Sequence, residues 1–428
     1  MESKEGPKLK LDTTLVSRLS FWYDISVSLG LAIKKYKNVK IIGENVRALQ
    51  RGLTGDRTRI ASGYMDEQSL LQAYLLYYWA VSLFEVTMVL EELDARARLP
   101  ELHSVLDIGS GPGPASFAAN VFGARRAFLV DKSQKALATA SEIAAEARRE
   151  HSDFEILTRY ANLEEFRVPA GETFDLIVAS QSLNEMWHDV PDWLERRRDF
   201  VLRLLPSLRA GGILVIIEPS AHYTSIPLLA LRDRVLESIG RQEPHEIAAF
   251  TGGAQIACAG PCPHSGSCPM RTLKGRPCFS EWQWEAPPLV NELANLAGLD
   301  RTSLKAAWVA FKKTPPETGR AEAEGARNMP DTPAKSGSLR GRIVSEPMRN
   351  KAGRIRYIVC TDCGLLTTIS APQGDPEARS LGFFQLARGD LLEADGLEAR
   401  GDAHLGIVRG TRIHITMKAP RHGRRLSS

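Results

Sequence analysis

Between residues 104 and 229, short apolar runs alternate with longer stretches of mixed polarity. The runs are Ser104–Ile108 (SVLDI), Ala127–Asp131 (AFLVD), Phe154–Tyr160 (FEILTRY), Phe174–Ser180 (FDLIVAS) and Gly212–Pro219 (GILVIIEP). Spans such as Gln134–Arg149 and Pro191–Leu208 read as the helices between them. Strands this uniformly apolar are buried on both faces, and their alternation with helices predicts a parallel sheet covered on both sides.

The first hundred residues read as helical. Leu70–Leu90 (LLQAYLLYYWAVSLFEVTMVL) is long enough to cross a bilayer, with Gln72 and Glu85 as its clearly polar members. Glu91, Glu92, Asp94 and Arg96 follow at once and no second span exists, so a helix packed on several sides inside the protein is expected over Ser69–Leu93. Pro315–Gly341 is rich in Pro, Gly, Ala and charge and reads as a linker. Beyond it come short strand-like runs, RIRYIVC, GLLTTIS, FFQLARGDLLEADG and LGIVRGTRIHITM, separated by glycine turns, which predict a small β-barrel or sandwich. No internal repeat is visible. The expected division is a helical region 1–100, an α/β domain 101–312, a linker 313–341, a small β-barrel 342–417 of the oligonucleotide-binding (OB-like) type, and a basic tail 418–428.

Composition changes this picture in two places. The net charge of the 428 residues is only +4, yet Gly341 to Ser428 holds fourteen Lys and Arg against nine Asp and Glu. The positive excess therefore lies at the C-terminus and points to a polyanion partner there. The first residues, MESKEGPKLKLD, carry Glu2 and Glu5 and no apolar run, so neither a signal peptide nor a presequence is expected, and the location is read as cytoplasmic. In that compartment six cysteines point to metal binding, burial or catalysis rather than disulfides.

The candidate chemistry begins at VLDIGSGPGPAS. Asp107, Gly109, Gly111 and Gly113 join a buried strand to a helix, and Asp131 ends the next strand, eighteen residues after Gly113. Glycines bring a ligand close to the helix N-terminus, and an acid at the second strand accepts hydrogen bonds from ribose hydroxyls. The order acid, any residue, then GxGxG resembles the S-adenosylmethionine site of class I methyltransferases more than a dinucleotide site. By that resemblance the loop contacts the methionine part, Asp131 the ribose, and the Asn162 neighbourhood the adenine. The segment after the fourth strand, SQSLNEMWHD, lacks an Asn-Pro-Pro-aromatic motif and a nucleophilic cysteine, so no catalytic residue is identified. Asn184 and Glu185 either face the methyl donor or cap the following helix.

The second candidate is CAGPCPHSGSCPMRTLKGRPC, with Cys258, Cys262, Cys268 and Cys278 spaced C-x3-C-x5-C-x9-C. Four thiolates hold zinc or an iron–sulfur cluster. The absence of paired CxxC knuckles favours a [4Fe–4S] cluster, zinc remaining the alternative. Arg271, Lys274 and Arg276 are placed to offset cluster charge, and His264 is a substitute ligand. Cys360 and Cys363 have CxxC spacing; burial is the first reading, a redox pair or a zinc half-site the others.

Together, VLDIGSGPGPAS, FDLIVASQSLNEM, EPS, CAGPCPHSGSCPM and CFSEW resemble the methyltransferase-like small-ribosomal-subunit assembly proteins of mitochondria and their bacterial relatives. The resemblance covers residues 60–310 and, more loosely, the C-terminal part. It implies a [4Fe–4S] cluster on Cys258, Cys262, Cys268 and Cys278, S-adenosylmethionine-type binding at Gly109, Gly111, Gly113 and Asp131, and docking on small-subunit rRNA during ribosome assembly. An active rRNA methyltransferase and a small-molecule methyltransferase with a zinc loop are the alternatives. On the C-terminal barrel, Tyr357, Phe383 and Phe384 are candidates for stacking on bases, with core packing the other reading.

Overall fold

A computed structural model describes residues 13–33, 38–55, 63–149, 153–241, 254–273, 277–315 and 337–419. The first sheet comprises β1 (Ser104–Ile108), β2 (Arg126–Asp131), β3 (Glu155–Tyr160), β4 (Phe174–Ser180), β5 (Leu208–Pro219), β6 (Gln255–Gly260), β7 (Ser280–Gln283) and β8 (Ser303–Thr314). Its order is β3-β2-β1-β4-β5-β8-β6, with β7 beside β8. Strands β1 to β5 run parallel, whereas β8 is antiparallel to β5, β6 and β7. This is the class I methyltransferase sheet that the apolar runs anticipate. All five residues of β1 and six of seven in β4 are buried, as strands covered on both faces require. The strand order reverses between β1 and β4, so their C-terminal ends open the crevice where such sheets bind ligands.

Helix Gln68–Ala95 packs on one face of this sheet, and 89% of its apolar window is buried inside the protein. It is a core helix, as the charges that follow it suggest. Trp79 fastens it to the glycine loop by donating from Nε1 to the Pro112 carbonyl at 3.1 Å. One turn of the helix, Tyr74–Tyr78, is π-helical. Ahead of it, helix Thr13–Ala32 docks through Trp22, whose ring lies 4.5 Å from that of Phe117.

The second sheet comprises β9 (Leu339–Ile343), β10 (Met348–Arg349), β11 (Arg354–Thr361), β12 (Leu366–Pro372), β13 (Leu391–Asp395), β14 (Glu398–Gly401), β15 (His404–Gly406) and β16 (Arg412–Met417). Its order is β14-β15-β12-β11-β9-β13-β16, with β10 on β11. The strands share one core, including Tyr357, Val359, Ile369, Leu392 and Leu405. Among the described residues no ladder joins β14 to β16, so the sheet is open where a barrel is closed. Only the second half of FFQLARGDLLEADG is a strand. Gly382, at φ +71°, starts a tight turn over Phe383–Gln385 after the short helix Pro376–Ser380. Tyr357 and Phe383 are fully buried and meet edge to face at 5.2 Å. Phe384 packs on the same core. These rings hold the sheet together and do not form a stacking surface.

Candidate functional site

At the open end of β1 and β4 lies a cavity of about 430 Å³, within the range of small-molecule sites. Gly109, Gly111, Asp131 and Asn162 line it, together with Asn184 and Glu185. The loop geometry explains the glycines. Gly109 has φ +67°, and a Cβ there would stand 2.3 Å from the Ser182 Cβ; Gly111 has φ +52°. Gly113 and Asp107 lie behind the cavity wall. Gly113, at φ +79°, precedes helix Pro114–Val121 and packs against Leu129 and Phe117. Asp107 is buried, accepts from the Ser116 N–H at 3.1 Å and Oγ at 2.7 Å, and is pushed up to about 7 by burial. It ties the loop to the helix that follows.

Asp131 accepts from the Gly111 N–H and the Ser133 N–H, both at 2.8 Å. Burial holds its carboxyl above the usual range, against the lowering effect of these amides. A carboxylate has about four acceptor positions, so capacity remains for a ligand hydroxyl. Asn162 turns its Oδ1 back to the Glu164 N–H at 3.2 Å. Asn184 is committed inward: its N–H donates to Glu218 Oε1 at 2.9 Å, and its side-chain amide donates to the same carboxylate. It does not cap the next helix, which begins at Trp193. Ser182 Oγ, donating to the Ile108 carbonyl at 2.7 Å, and Arg197, donating to the Met186 and Asn184 carbonyls, fix this loop in place.

The far wall is the part that motif reading misses. Tyr64, Met65 and Asp66 come from the segment before the core helix; Tyr74, Tyr78 and Ser82 come from the helix itself. Asp66 Oδ1 accepts from Ser133 Oγ at 2.7 Å, drawing this segment over the second strand. Burial, reinforced by Glu185 and Asp131, raises Tyr64 and Tyr74, which keep their hydroxyl protons. Tyr78 Oη and Ser180 Oγ are buried in the lining with no hydrogen-bond partner. Orphaned hydroxyls in a cavity call for a polar occupant, so the lining fits a nucleoside-bearing cofactor. The sequence signal was present in the tyrosines four apart that interrupt an otherwise apolar helix.

The cysteines gather at the other end of the core helix. Cys258 lies within β6, and Cys262, Cys268 and Cys278 follow on the loop to β7. The Cys262 thiol donates toward Cys258, and with Arg232 it holds Cys258 down to about 6; the same pairing and burial push Cys262 up. Burial, then the charge of Cys278, raises Cys268 to about 11. Cys360 on β11 joins them. It is buried with Cys268 and Met270, its Sγ stands 3.5 Å from His264 Nε2, and burial followed by Cys278 and Cys268 raises it. Cys363 Sγ lies 2.9 Å from Thr361 Oγ1. All six cysteines are free, and among the described residues no three His, Cys, Asp or Glu side chains stand in a metal-ligating arrangement.

The charges around the thiols are buried arginines. Arg232, fully buried, donates to Asp233 at 2.6 Å and to the Gly266 carbonyl at 2.7 Å, while its Nε has no partner. Asp233 in turn accepts from the Cys268 N–H at 3.0 Å and from Arg271 at 2.9 Å. Arg96 and Arg342 both reach the Pro261 carbonyl. Arg271 is therefore engaged by Asp233, and Lys274 and Arg276 lie outside the described residues. Arg96, Arg232 and Arg342 supply the compensating charge instead, and nothing local in the sequence marks them. His264 is held down to about 4 by burial and Arg232, so it is neutral, with Nδ1 unpartnered. Thiols are soft donors of the type that holds a metal group, but among the described residues they are not arranged as a ligand set.

Over part of its length the chain is similar to known methyltransferases. Trans-aconitate 2-methyltransferase of Variovorax paradoxus (strain S110) is 33% identical over 136 residues, 32% of this chain and 46% of that protein. The chain thus spans about half the length of this curated relative. Among solved structures, magnesium protoporphyrin IX methyltransferase from Synechocystis PCC 6803 with bound SAM is 14% identical, covering 66% of this chain and all of that one, at a TM-score of 0.30. Phosphoethanolamine N-methyltransferase 1 of Haemonchus contortus is 14% identical over 61% of this chain and 50% of that one, at a TM-score of 0.35. The profile of the family described as mitochondrial small ribosomal subunit Rsm22 matches residues 68–283, half of the chain, a span that runs from the core helix through the cofactor cavity to the cysteine loop, and the chain belongs to that family.

Proposed function

We propose that this protein binds S-adenosylmethionine in the β1/β4 cavity, carries a [4Fe–4S] cluster in the cysteine centre, and works with small-subunit rRNA in ribosome assembly or translation. The place of action would be the bacterial cytoplasm or the mitochondrial matrix. The carrying observation is the cavity itself: Gly109, Gly111 and Asp131 on one wall, the unpartnered Tyr78 and Ser180 hydroxyls on another. Asp131 would take the ribose hydroxyls and Asn162 would lie near the adenine; Asp107 and Gly113 would hold the loop that approaches the methionine part. Cys258, Cys262, Cys268 and Cys278 would hold the cluster, with Cys360, buried beside Cys268, as a further candidate ligand. The group would bring redox-capable iron and, above all, folding energy to a proline-rich loop. The working domain division keeps the methyltransferase-like unit near 101–312 and the second domain near 342–417, with β8 running on to Thr314 and β9 beginning at Leu339.

Chemistry at the cavity is a separate question. Asn184 is spent on Glu218, and the loop Gln181–Met186 presents Glu185 to the cavity, where it is the strongest charge acting on Tyr64. A binding role therefore stands ahead of catalysis in this reading, with rRNA methylation as the alternative.

Iron and acid-labile sulfide content on anaerobically purified protein tests the metal part, and calorimetric titration with S-adenosylmethionine tests the cavity. About four iron and four sulfide per chain, lost in Cys262→Ser/Cys268→Ser, is the expected result. One zinc without sulfide would overturn the cluster. An Asp131→Ala variant that binds S-adenosylmethionine as tightly as the wild type would overturn the assignment of the cavity.

A further inference from the structure

With its aromatic rings in the core, the second sheet shows charge on its outer face. Along β11, Ile355, Tyr357 and Val359 enter the core, so Arg354, Arg356, Ile358 and Cys360 lie on the opposite face. The register sets Arg356 across from Ser370 and Thr368 beside His404, extending that face over β12 and β15. Neighbouring β14 adds Arg400.

These groups form one cluster. Arg354 donates to Ser370 Oγ at 3.1 Å and to its carbonyl at 3.0 Å, and His404 Nε2 lies 2.8 Å from the same Oγ. Burial, then Arg354, Arg356 and Arg400, holds the His404 imidazole below its usual range. Arg356 Nε is buried without a partner. The opposing acids are Glu398, paired to Arg400 at 2.8 Å, and Asp375, which caps a helix. Three guanidiniums gathered this closely repel one another, a cost that an anionic ligand reverses.

The cluster also has a defined neighbour. At the other end of the same strand face, Ile358 and Leu366 pack on Cys268, Met270 and Cys360. Arg356 and Cys360 are four residues apart on one strand, about 13 Å. Whatever binds the arginines therefore lies beside the cysteine centre.

We propose that Arg354, Arg356, Arg400 and His404 on the outer face of the second sheet are a binding site for the phosphodiester backbone of RNA. This rests on the RNA-associated reading above and specifies its mode. Guanidiniums contact phosphates, no aromatic platform reads bases, and recognition at this face depends on backbone charge rather than sequence.

The test is fluorescence anisotropy of the full-length, metal-loaded protein with a labelled small-subunit rRNA fragment across a series of KCl concentrations. Arg356→Gln/Arg400→Gln should lower the log–log salt slope by about 1.4–1.8 and weaken binding about 10- to 30-fold near ~0.15 M salt. Glu398→Gln, a surface change that removes the competing acid, should tighten binding. Arg148→Gln/Arg149→Gln, on a helix of the first sheet, serves as the charge-matched control. An unchanged slope in the double variant at an unchanged melting temperature overturns the site, as does an equal loss in the control or no tightening with Glu398→Gln. Wild-type protein that binds no RNA, including one that binds anionic lipid vesicles instead, overturns both the site and the RNA-associated reading. RNA binding as tight in the double variant as in the wild type overturns the site alone.

Discussion

Glu92 and Arg342, 250 residues apart in the chain, form a buried ion pair between the core helix and the second sheet. Their side chains are 0% and 4% exposed. Arg342 also donates to Ser280 Oγ at 2.8 Å and lies in the field of Cys278 and Cys262. The core helix thus carries Tyr74 and Tyr78 at the cofactor cavity and Glu92 at the cysteine centre. Removing one partner leaves Arg342 or Glu92 buried and uncompensated, whereas removing both leaves only the longer Glu92–Arg96 contact, 3.8 Å, unmade. Glu92→Gln is expected to cost about 3–5 kcal/mol in urea unfolding, and Glu92→Gln/Arg342→Met to recover most of that loss. A double variant as unstable as the single one would show that the pair is not the docking contact.

The glycine loop makes its own prediction. Gly109→Ala places a side chain at a positive φ against Ser182, costing about 1–3 kcal/mol of local strain. Calorimetry should show S-adenosylmethionine binding weakened about tenfold or more, or about 1.4 kcal/mol. Asp107→Asn, which acts through Ser116 rather than on the ligand, should cost less affinity and more stability. The reverse ranking would place Asp107 in direct contact with the ligand.

Glu85 sets a pH dependence. It accepts from Gln181 at 2.6 Å, and burial raises it to about 7 from 4.5, against the lowering effects of Arg301 and Gln181. A raised folded value means that the fold holds a proton the unfolded chain has released. Its contribution is fully present below pH 4.5 and is lost as pH rises through about 7. Glu85→Gln keeps a hydrogen-bonding amide and removes the titration. Between about pH 5 and 8 its stability should fall less steeply than that of the wild type, by on the order of 3 kcal/mol at most. Asp107 and Glu91, also raised to about 7 by burial, leave a residual slope of the same sign. Parallel curves would mean that Glu85 stays ionised in the fold.

The two cysteines of the CxxC should behave differently. Cys360→Ser is expected to lower iron content or the holoprotein's melting temperature, because its thiol faces Cys268, Cys278 and His264. Cys363→Ser should leave both unchanged, within about 0.5 kcal/mol of stability, because its Sγ pairs with Thr361 Oγ1, a contact a serine hydroxyl can also make. Equal effects of the two substitutions would contradict this placement.

The accuracy of the sequence reading varied with the range of the interactions that decide each element. Phe174–Ser180 and Gln134–Arg149 have the bounds their patterns suggest, since apolar runs and helical spacing are local properties. Strand β5 begins at Leu208 rather than Gly212 because its register shifts against β4 between Phe174 and Leu176, a pairing detail without a local signal. Tyr357 and Phe383 could equally have stacked on bases or filled a core. Their burial was decided by strand alternation and by the turn at Gly382.

The sequence by itself determined the parallel sheet, the glycine loop with its acid at Asp131, the core helix and the grouping of four cysteines. Each rests on spacing within a few residues, where backbone geometry translates pattern directly into structure. Only the tertiary structure decided that Tyr64, Tyr74 and Tyr78 wall the cavity, that Cys360 joins the cysteine loop, and that Arg96, Arg232 and Arg342 surround it. Those groups come from separate helices and both sheets. What brings them together is the burial of apolar surface across the whole chain, which leaves no periodic trace in any one segment.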